Sequence, residues 1–344
     1  MIRVGVVGYG TIGKRVADAV AKQRDMELVG VAKVRPDYVA ITAIKKGFRL
    51  YVPSSEIRNF ENMGIEVAGT IEELVQSVDI VIDATPAGRG AKNRAELYDR
   101  YGVKAVFQGG EKADVADISF NALANYPKAV GKRYIRVVSC NTTAILRIVA
   151  ALMLNGIELE RVRVFIVRRG ADPKEFTRGP INDLILDSPT IPTHHAVDVK
   201  SVVPEIDIVT AAVVAPVTLA HVHLFYATLR EGVSRDAVIE ALYRTPRILM
   251  FDVSKGYRSV AQIVEWARDI GRLRNDVPEN IVFTDTIALN NRELFLIMAV
   301  HQEAIVVPEN IDAIRAAMGI DDMWYSIRLT DESLGLFLEG KRYG

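Results

Sequence analysis

Between Ile2 and about Cys140, short β-branched runs alternate with stretches of helical periodicity, which predicts strand–helix–strand units building a parallel sheet. Strands are expected at Arg3–Gly8, Glu27–Lys33, Ile80–Thr85, Ala105–Gln108 and Ile135–Ser139. Between the first two, Arg15, Asp18, Lys22 and Arg24 stay polar while Val16, Ala17 and Val20 form an apolar stripe, so a helix is expected over about Ile12 to Lys22. After Cys140 the pattern changes. Residues 144–152 read as a buried helix, and strands follow at Arg161–Val167, Ile206–Val214 and Leu219–Ala227, the last with period-two alternation. Such a run of strands predicts a mixed or antiparallel sheet in a second domain. Residues 171–205 carry Pro173, Pro180, Pro189, Pro192 and Pro204 with few helical periods, and predict a long ordered loop. Loops of that length are usually functional or interfacial. Pro308 to Met318, with Gly319 just beyond, marks a further helix.

Composition narrows the function classes. Among 344 residues, 43 Lys+Arg balance 43 Asp+Glu, so a strong electrostatic grip on nucleic acid is excluded as a role. Apolar stretches such as Ala211 to Ala220 fall short of the ~20 residues that a membrane span needs, so no membrane partner is expected. The first residues run directly into a strand pattern, without a signal-peptide pattern, and predict a cytoplasmic protein. The single cysteine excludes an intramolecular disulfide framework and a cysteine-cluster zinc site.

The first apolar strand leads into Gly8-Tyr9-Gly10-Thr11-Ile12-Gly13, which opens the first helix. Gly8 suits a tight turn, Gly10 lets backbone N–H groups approach a pyrophosphate, and Gly13 lets helix and strand pack closely. Thr11 and Ile12 then lie at the helix start, where unpaired N–H groups and the dipole favour an anion. An NAD-specific site places a carboxylate at the end of the second strand; here Lys33 and, further on, Arg35 stand there and suit the 2′-phosphate of NADP. NADP is therefore expected as cofactor, alongside NAD. Thr85 to Gly88 and Gln108-Gly109-Gly110 follow further strand ends, where open α/β sheets bind ligands. The expected class is α/β: an N-terminal Rossmann domain at 1–139 with a doubly wound, mostly parallel sheet, then an α+β catalytic domain at 140–302 with a mixed or antiparallel sheet. A C-terminal helical segment at 303–344 returns to the Rossmann domain.

Cys140 lies in Ser139-Cys140-Asn141-Thr142-Thr143, between a β-branched strand and the long helix. Ser139 and Asn141 suit an N-cap, which puts the thiol in the first turn. A helix start lowers a thiol's pKa, and a neighbouring histidine lowers it further, so Cys140 is the expected nucleophile. The same N–H groups suit a developing oxyanion. Of five histidines, His221 and His223 share one face of a strand. Such a pair could be half a zinc site, with His194, His195 or carboxylates completing it, or a pair of core histidines. A thiol–base mechanism accounts for the cluster, and no metal is expected.

The Ser-Cys-Asn-Thr-Thr string at the start of a long helix, after a nucleotide-binding unit of about 140 residues, resembles glyceraldehyde-3-phosphate dehydrogenases. Lys33-Val34-Arg35-Pro36-Asp37, Arg168-Arg169-Gly170-Ala171-Asp172-Pro173 and Pro192-Thr193-His194-His195 are similar to the archaeal-type branch, over nearly the whole chain. In the bacterial and eukaryotic branch the catalytic histidine follows the strand that here ends in Arg168-Arg169, with no histidine. The resemblance implies His221 as the base, with His223 supporting it or structural. It implies Ser139, Cys140, Asn141, His194 and His195 as substrate residues, Arg168 on the cofactor side, and Gln302 at the nicotinamide. It further implies a phosphorylated aldehyde and inorganic phosphate as partners, and a homotetramer with the 171–205 loop at an interface. Rival readings are an aspartate-semialdehyde or acyl-phosphate reductase of the same fold, and a dinucleotide-sensing protein without catalysis, which predicts an unreactive Cys140.

Overall fold

The computed structural model describes residues 1–108, 110–172, 182–336 and 342–343. The chain divides into two compact units, one comprising Met1–Ser139 with Val307–Gly335, the other Cys140–Val306 with Leu336–Gly344.

The first unit holds an eight-stranded parallel sheet. Its strands are β1 (Ile2–Val7), β2 (Met26–Ala32), β3 (Leu50–Val52), β4 (Gly69–Thr70), β5 (Ile80–Asp83), β6 (Lys104–Phe107), β7 (Ile118–Phe120) and β8 (Tyr134–Val137), in the order β4-β3-β2-β1-β5-β6-β8-β7. The order runs outward from β1 in one direction, then resumes at β5 on its other side. That reversal opens a crevice at the carboxyl ends of β1 and β5, the place where such sheets receive ligands. Val4, Val6, Ile80, Val81 and Ile82 are buried, as parallel strands covered on both faces require. Helix α1 (Gly13–Ala21) returns its Val16, Ala17 and Val20 stripe to the core, and α2 (Tyr38–Lys45) follows β2. The helices Val307–Ala317 and Met323–Leu334 complete this unit. Fully buried Arg315 ties them to its beginning, bonding Asp25 at 2.8 Å, Gln23 at 2.7 Å and Thr330.

The second unit is built on a nine-stranded mixed sheet. It contains β9 (Leu159–Arg169), β10 (Ile185–Leu186), β11 (Ile208–Ala215), β12 (His221–Leu229), β13 (Ile248–Phe251), β14 (Asn280–Phe283), β15 (Ala288–Asn290), β16 (Glu293–Val300) and β17 (Arg342–Tyr343). β9 pairs parallel with β11 and antiparallel with β12, and β12 pairs antiparallel with β16. The helix Cys140–Leu154, buried from Asn141 to Leu152, also belongs to this unit.

The expected long loop is corrected in part. β10 pairs antiparallel with β11, and a helix spans His194–Lys200. Seven helical residues are too few to print a 3.6-residue period on the sequence. Residues 173–181, with Pro173 and Pro180, lie outside the described residues.

Candidate active site

In the first unit the glycine motif forms the turn from β1 to α1. Gly8 has φ +97°, and a Cβ there would lie 2.7 Å from the Ala84 backbone. At Gly13 a Cβ would meet the Gly8 carbonyl oxygen at 1.9 Å, so helix and strand approach too closely for any side chain. A Cβ at Gly10 would have no atom within 4 Å, which leaves room beside the start of α1. The N-cap, Ile12, supplies no side-chain cap; the Lys14 N–H donates to the Gly10 carbonyl at 3.1 Å and the Arg15 N–H to the Ile12 carbonyl at 2.9 Å, so the turn itself closes the start of the helix. Thr11 contributes its carbonyl to Arg15 Nη1 at 2.9 Å. The second strand end places Lys33 3.0 Å from the carboxylate of Asp37. Gly110 is exposed with φ +83°, and Gly109 lies outside the described residues.

Sequence reasoning passed over Asp83, at the carboxyl end of β5. Nearly fully buried, it accepts hydrogen bonds from the Thr85 N–H at 3.0 Å, Asn93 Nδ2 at 2.8 Å and the Tyr98 hydroxyl at 2.7 Å. Burial, then the Asp83 charge, pushes the Tyr98 phenol well above its usual range, so it remains a donor. Asp83 thereby fixes the Thr85–Gly88 turn beside the glycine motif. The one sequence signal was a carboxylate closing the apolar run Ile80-Val81-Ile82.

In the second unit, Cys140 opens the long helix, preceded by partly exposed Ser139. The structure corrects two expectations here. Asn141 does not cap: it lies inside the first turn, and its amide is clamped between two histidines. His223 Nε2 lies 2.8 Å from Asn141 Oδ1, and Asn141 Nδ2 lies 3.2 Å from His195 Nε2. Nor is the thiol acidified. Burial pushes Cys140 up to about 11, while Arg168, its helical N–H environment and Arg169 pull it back.

The amide clamp fixes the tautomers around it. His223 donates through Nε2 to the Asn141 oxygen, and the Asn141 NH2 donates to His195 Nε2. His195 therefore carries its proton on Nδ1, 3.1 Å from Thr193 Oγ1, which in turn lies 2.7 Å from Thr210 Oγ1. Burial pushes His195 down to about 2, with His194 and Arg168 adding to it, and burial alone brings His223 to about 3. Both rings are neutral at any working pH.

His221 lies on the same inner face of β12 and is fully buried. The backbone N–H of Arg169 donates to its Nδ1 at 3.0 Å, and its Nε2 has no partner among the described residues. Desolvation, His223 and the two arginines hold its pKa well below the usual value. The neutral ring thus carries its proton on Nε2 and presents a donor.

Arg168 and Arg169 differ in what they have left to offer. Arg169 bonds Gln302 Oε1 at 2.6 Å, Glu303 at 2.7 Å, the Thr218 carbonyl at 3.2 Å and Asp172. Arg168 pairs with Asp187, and its buried Nε has no partner among the described residues. His194 is exposed and stacks on His195, with ring centroids 3.9 Å apart. Donor atoms of Asp187, His194 and His195 lie within 4.8 Å of one another. The Arg168 guanidinium already neutralises that carboxylate, and His195 has both nitrogens engaged, so the donor set suits an anion better than a cation.

Similarity to known proteins covers both units. Residues 139–299 match the family model described as glyceraldehyde 3-phosphate dehydrogenase, C-terminal domain, and residues 2–119 match that of dihydrodipicolinate reductase, N-terminus. The glyceraldehyde-3-phosphate dehydrogenase of Pyrobaculum arsenaticum is 54% identical over 344 residues, covering 100% of both chains. Those of Sulfolobus acidocaldarius and Hyperthermus butylicus are each 54% identical, over 99% of this chain and 98% of theirs. With that identity over its whole length, and with the cysteine helix inside the matched catalytic region, the chain belongs to the glyceraldehyde-3-phosphate dehydrogenase family.

Proposed function

We propose that the chain oxidises D-glyceraldehyde 3-phosphate to 1,3-bisphosphoglycerate, with inorganic phosphate as co-substrate and NADP or NAD as hydride acceptor. The observation that carries this reading is Cys140 at the head of a buried helix, next to an amide held by His195 and His223, the latter on the strand that also carries His221, whose Nε2 has no partner among the described residues. Cys140 loses its proton to solvent, a step that burial opposes and that the Arg168 charge, the Asn141 N–H and the Arg169 charge ease. Its sulfur attacks the aldehyde carbon and the carbonyl electrons move to oxygen. His221 donates its Nε2–H to that oxyanion, and the helix N–H groups add to the stabilisation. A proton-accepting Nε2 would require the other tautomer, whose Nδ1–H would face the Arg169 N–H. When bound, the nicotinamide ring supplies the hydride acceptor. Hydride loss from the oxyanion carbon leaves a thioester on Cys140, and attack by inorganic phosphate on its carbonyl releases the acyl phosphate and restores the sulfur.

The remaining roles follow the same reading. Ser139, Asn141 and His194 hold the substrate, with His195 fixing the Asn141 amide and backing the His194 ring, and Arg168, whose Nε has no partner among the described residues, takes an anionic group of the cofactor. Gln302, its oxygen fixed by Arg169, turns its NH2 toward the nicotinamide amide. Gly8, Gly10, Thr11, Ile12 and Gly13 seat the pyrophosphate, Gly110 lines the same crevice, and Lys33 meets the 2′-phosphate of NADP. We place the reaction in the cytoplasm; among the described residues no helix is long and apolar enough to cross a membrane. A homotetramer is supported by the apolar outer face of the second sheet.

The test is phosphate-dependent reduction of NADP and NAD with glyceraldehyde 3-phosphate and with aspartate semialdehyde. The parent should turn over only the first aldehyde. Cys140→Ser should bind cofactor as before and lose more than ~99% of turnover. Activity above a tenth of the parent sinks the thiol mechanism, and a preference for the semialdehyde sinks the substrate assignment. Failure of iodoacetamide to label Cys140 or stop turnover would favour a sensing protein.

A further inference from the structure

Lys33 is already paired before any phosphate arrives. Its backbone N–H is fixed to the Tyr51 carbonyl at 3.0 Å, and its ammonium lies 3.0 Å from Asp37 Oδ2, with the lysine side chain mostly buried. Asp37 is held in turn. Its Oδ1 caps α2, accepting from the Val39 N–H at 2.9 Å and the Ala40 N–H at 3.2 Å. One carboxylate thus spends one oxygen on the helix start and the other on the lysine, where the second strand of a nucleotide-binding unit meets the ribose. A Rossmann site for NAD places an acidic residue at this strand end to take a ribose hydroxyl; here a carboxylate arrives four residues later, already paired.

We infer that Asp37 sets the balance between NADP and NAD: its carboxylate competes with the 2′-phosphate for Lys33 and supplies the acceptor for the ribose hydroxyls of NAD. The inference rests on the reading that Lys33 receives the 2′-phosphate. Asp37 acts in two ways on NADP. The phosphate must displace it from the lysine, and it remains nearby as a like charge. NAD meets neither cost. A half-exposed pair and one screened repulsion together amount to about a 5- to 10-fold change in preference.

Asp37→Asn isolates the charge, because the amide oxygen keeps the helix cap. Dissociation constants for NADP and NAD, measured by titration calorimetry, are compared for the parent, Asp37→Asn, Lys33→Ala and the double variant, in low and high salt. Asp37→Asn should tighten NADP, leave NAD equal or weaker, and raise the preference for NADP about 5- to 10-fold at low salt, less at high salt. In the Lys33→Ala background the same substitution should change NADP by less than half as much. Unchanged or weaker NADP binding in Asp37→Asn, with Lys33→Ala still losing NADP, overturns the role of Asp37 and leaves that of Lys33. If Lys33→Ala binds NADP as the parent does, the Lys33 reading falls and Asp37 with it.

Discussion

His195 and His223 hold opposite ends of one amide, and that arrangement requires both rings to be neutral. A second proton on His195 would leave Asn141 facing an N–H with its own NH2, and a charged His223 would sit in a site without a counter-ion on its strand face. The two side chains ionise near 6.5 in an unfolded chain but only near 2 and 3 in the folded one. Between those limits the unfolded chain binds more protons, so stability is complete above about pH 6.5 and falls as pH drops below it. The slope is about 1.4 kcal/mol per pH unit per histidine. Glu303 works in the same direction at lower pH: against the push of burial, the His301 hydrogen bond and the Arg169 charge bring it to about 2, so its contribution persists down to about 4.5 and is lost below that. The window from pH 6.5 to 4.5 therefore belongs to the histidines. Urea midpoints should fall steeply across it in the parent and less steeply in His223→Gln, whose amide can still donate to Asn141. A flat midpoint over that window in the parent would contradict the neutral network. At this scale the sequence shows the players and hides the wiring: Ser-Cys-Asn-Thr-Thr marks the nucleophile, but the clamp on Asn141 joins residues 54 and 82 positions away. Asp83 was hidden for a similar reason, since a carboxylate that accepts several hydrogen bonds looks in sequence like a polar strand end.

The cysteine helix shows how an element carries a site. Its apolar run predicts a helix over residues 144–152, and it starts at Cys140 because the polar groups of its first turn find partners inside the fold. A helix buried on all sides needs anchors for its few polar groups. Fully buried Arg147 supplies one, donating to the Pro278 carbonyl at 2.6 Å and the Ile305 carbonyl at 2.8 Å. Asn280 adds another by donating to the Ala144 carbonyl at 2.8 Å. Arg147→Met keeps the length of the side chain and abandons two acceptors, at a cost of about 2–4 kcal/mol. The variant should unfold at lower urea with an unchanged m-value, and a loss below about 0.5 kcal/mol would mean that water or a neighbour replaces the guanidinium. Elements with strong local patterns, such as β1, α1 and β12, were legible to within two residues. The short His194–Lys200 helix and β10 were not, because tertiary pairing defines them rather than a period of their own.

At the scale of the whole molecule, the outer face of the second sheet carries more apolar surface than a lone chain needs. Alternation along β9, β12 and β16 buries one face and turns Phe165, Leu224 and Phe295 outward, where they are 43%, 45% and 43% exposed. With Tyr226 and Ile297 they line a groove of about 520 Å³. Contiguous apolar patches of this kind mark interaction sites. A second copy of the chain fits the patch best, because the small-molecule substrates proposed here are charged and have no use for an aromatic groove. The period-two alternation of β12 was legible in the sequence, but which phase faces the core and which the apolar patch is read from the folded sheet. If the tetramer is built partly on this face, Leu224→Glu should place a desolvated charge at its centre, with at least 1,000 Å² of buried surface lost per interface. Sedimentation at micromolar concentration should then give a smaller particle than the parent, with secondary structure unchanged. A parent that sediments as a stable monomer ends the tetramer proposal, and a Leu224→Glu variant of unchanged mass moves the interface to another face.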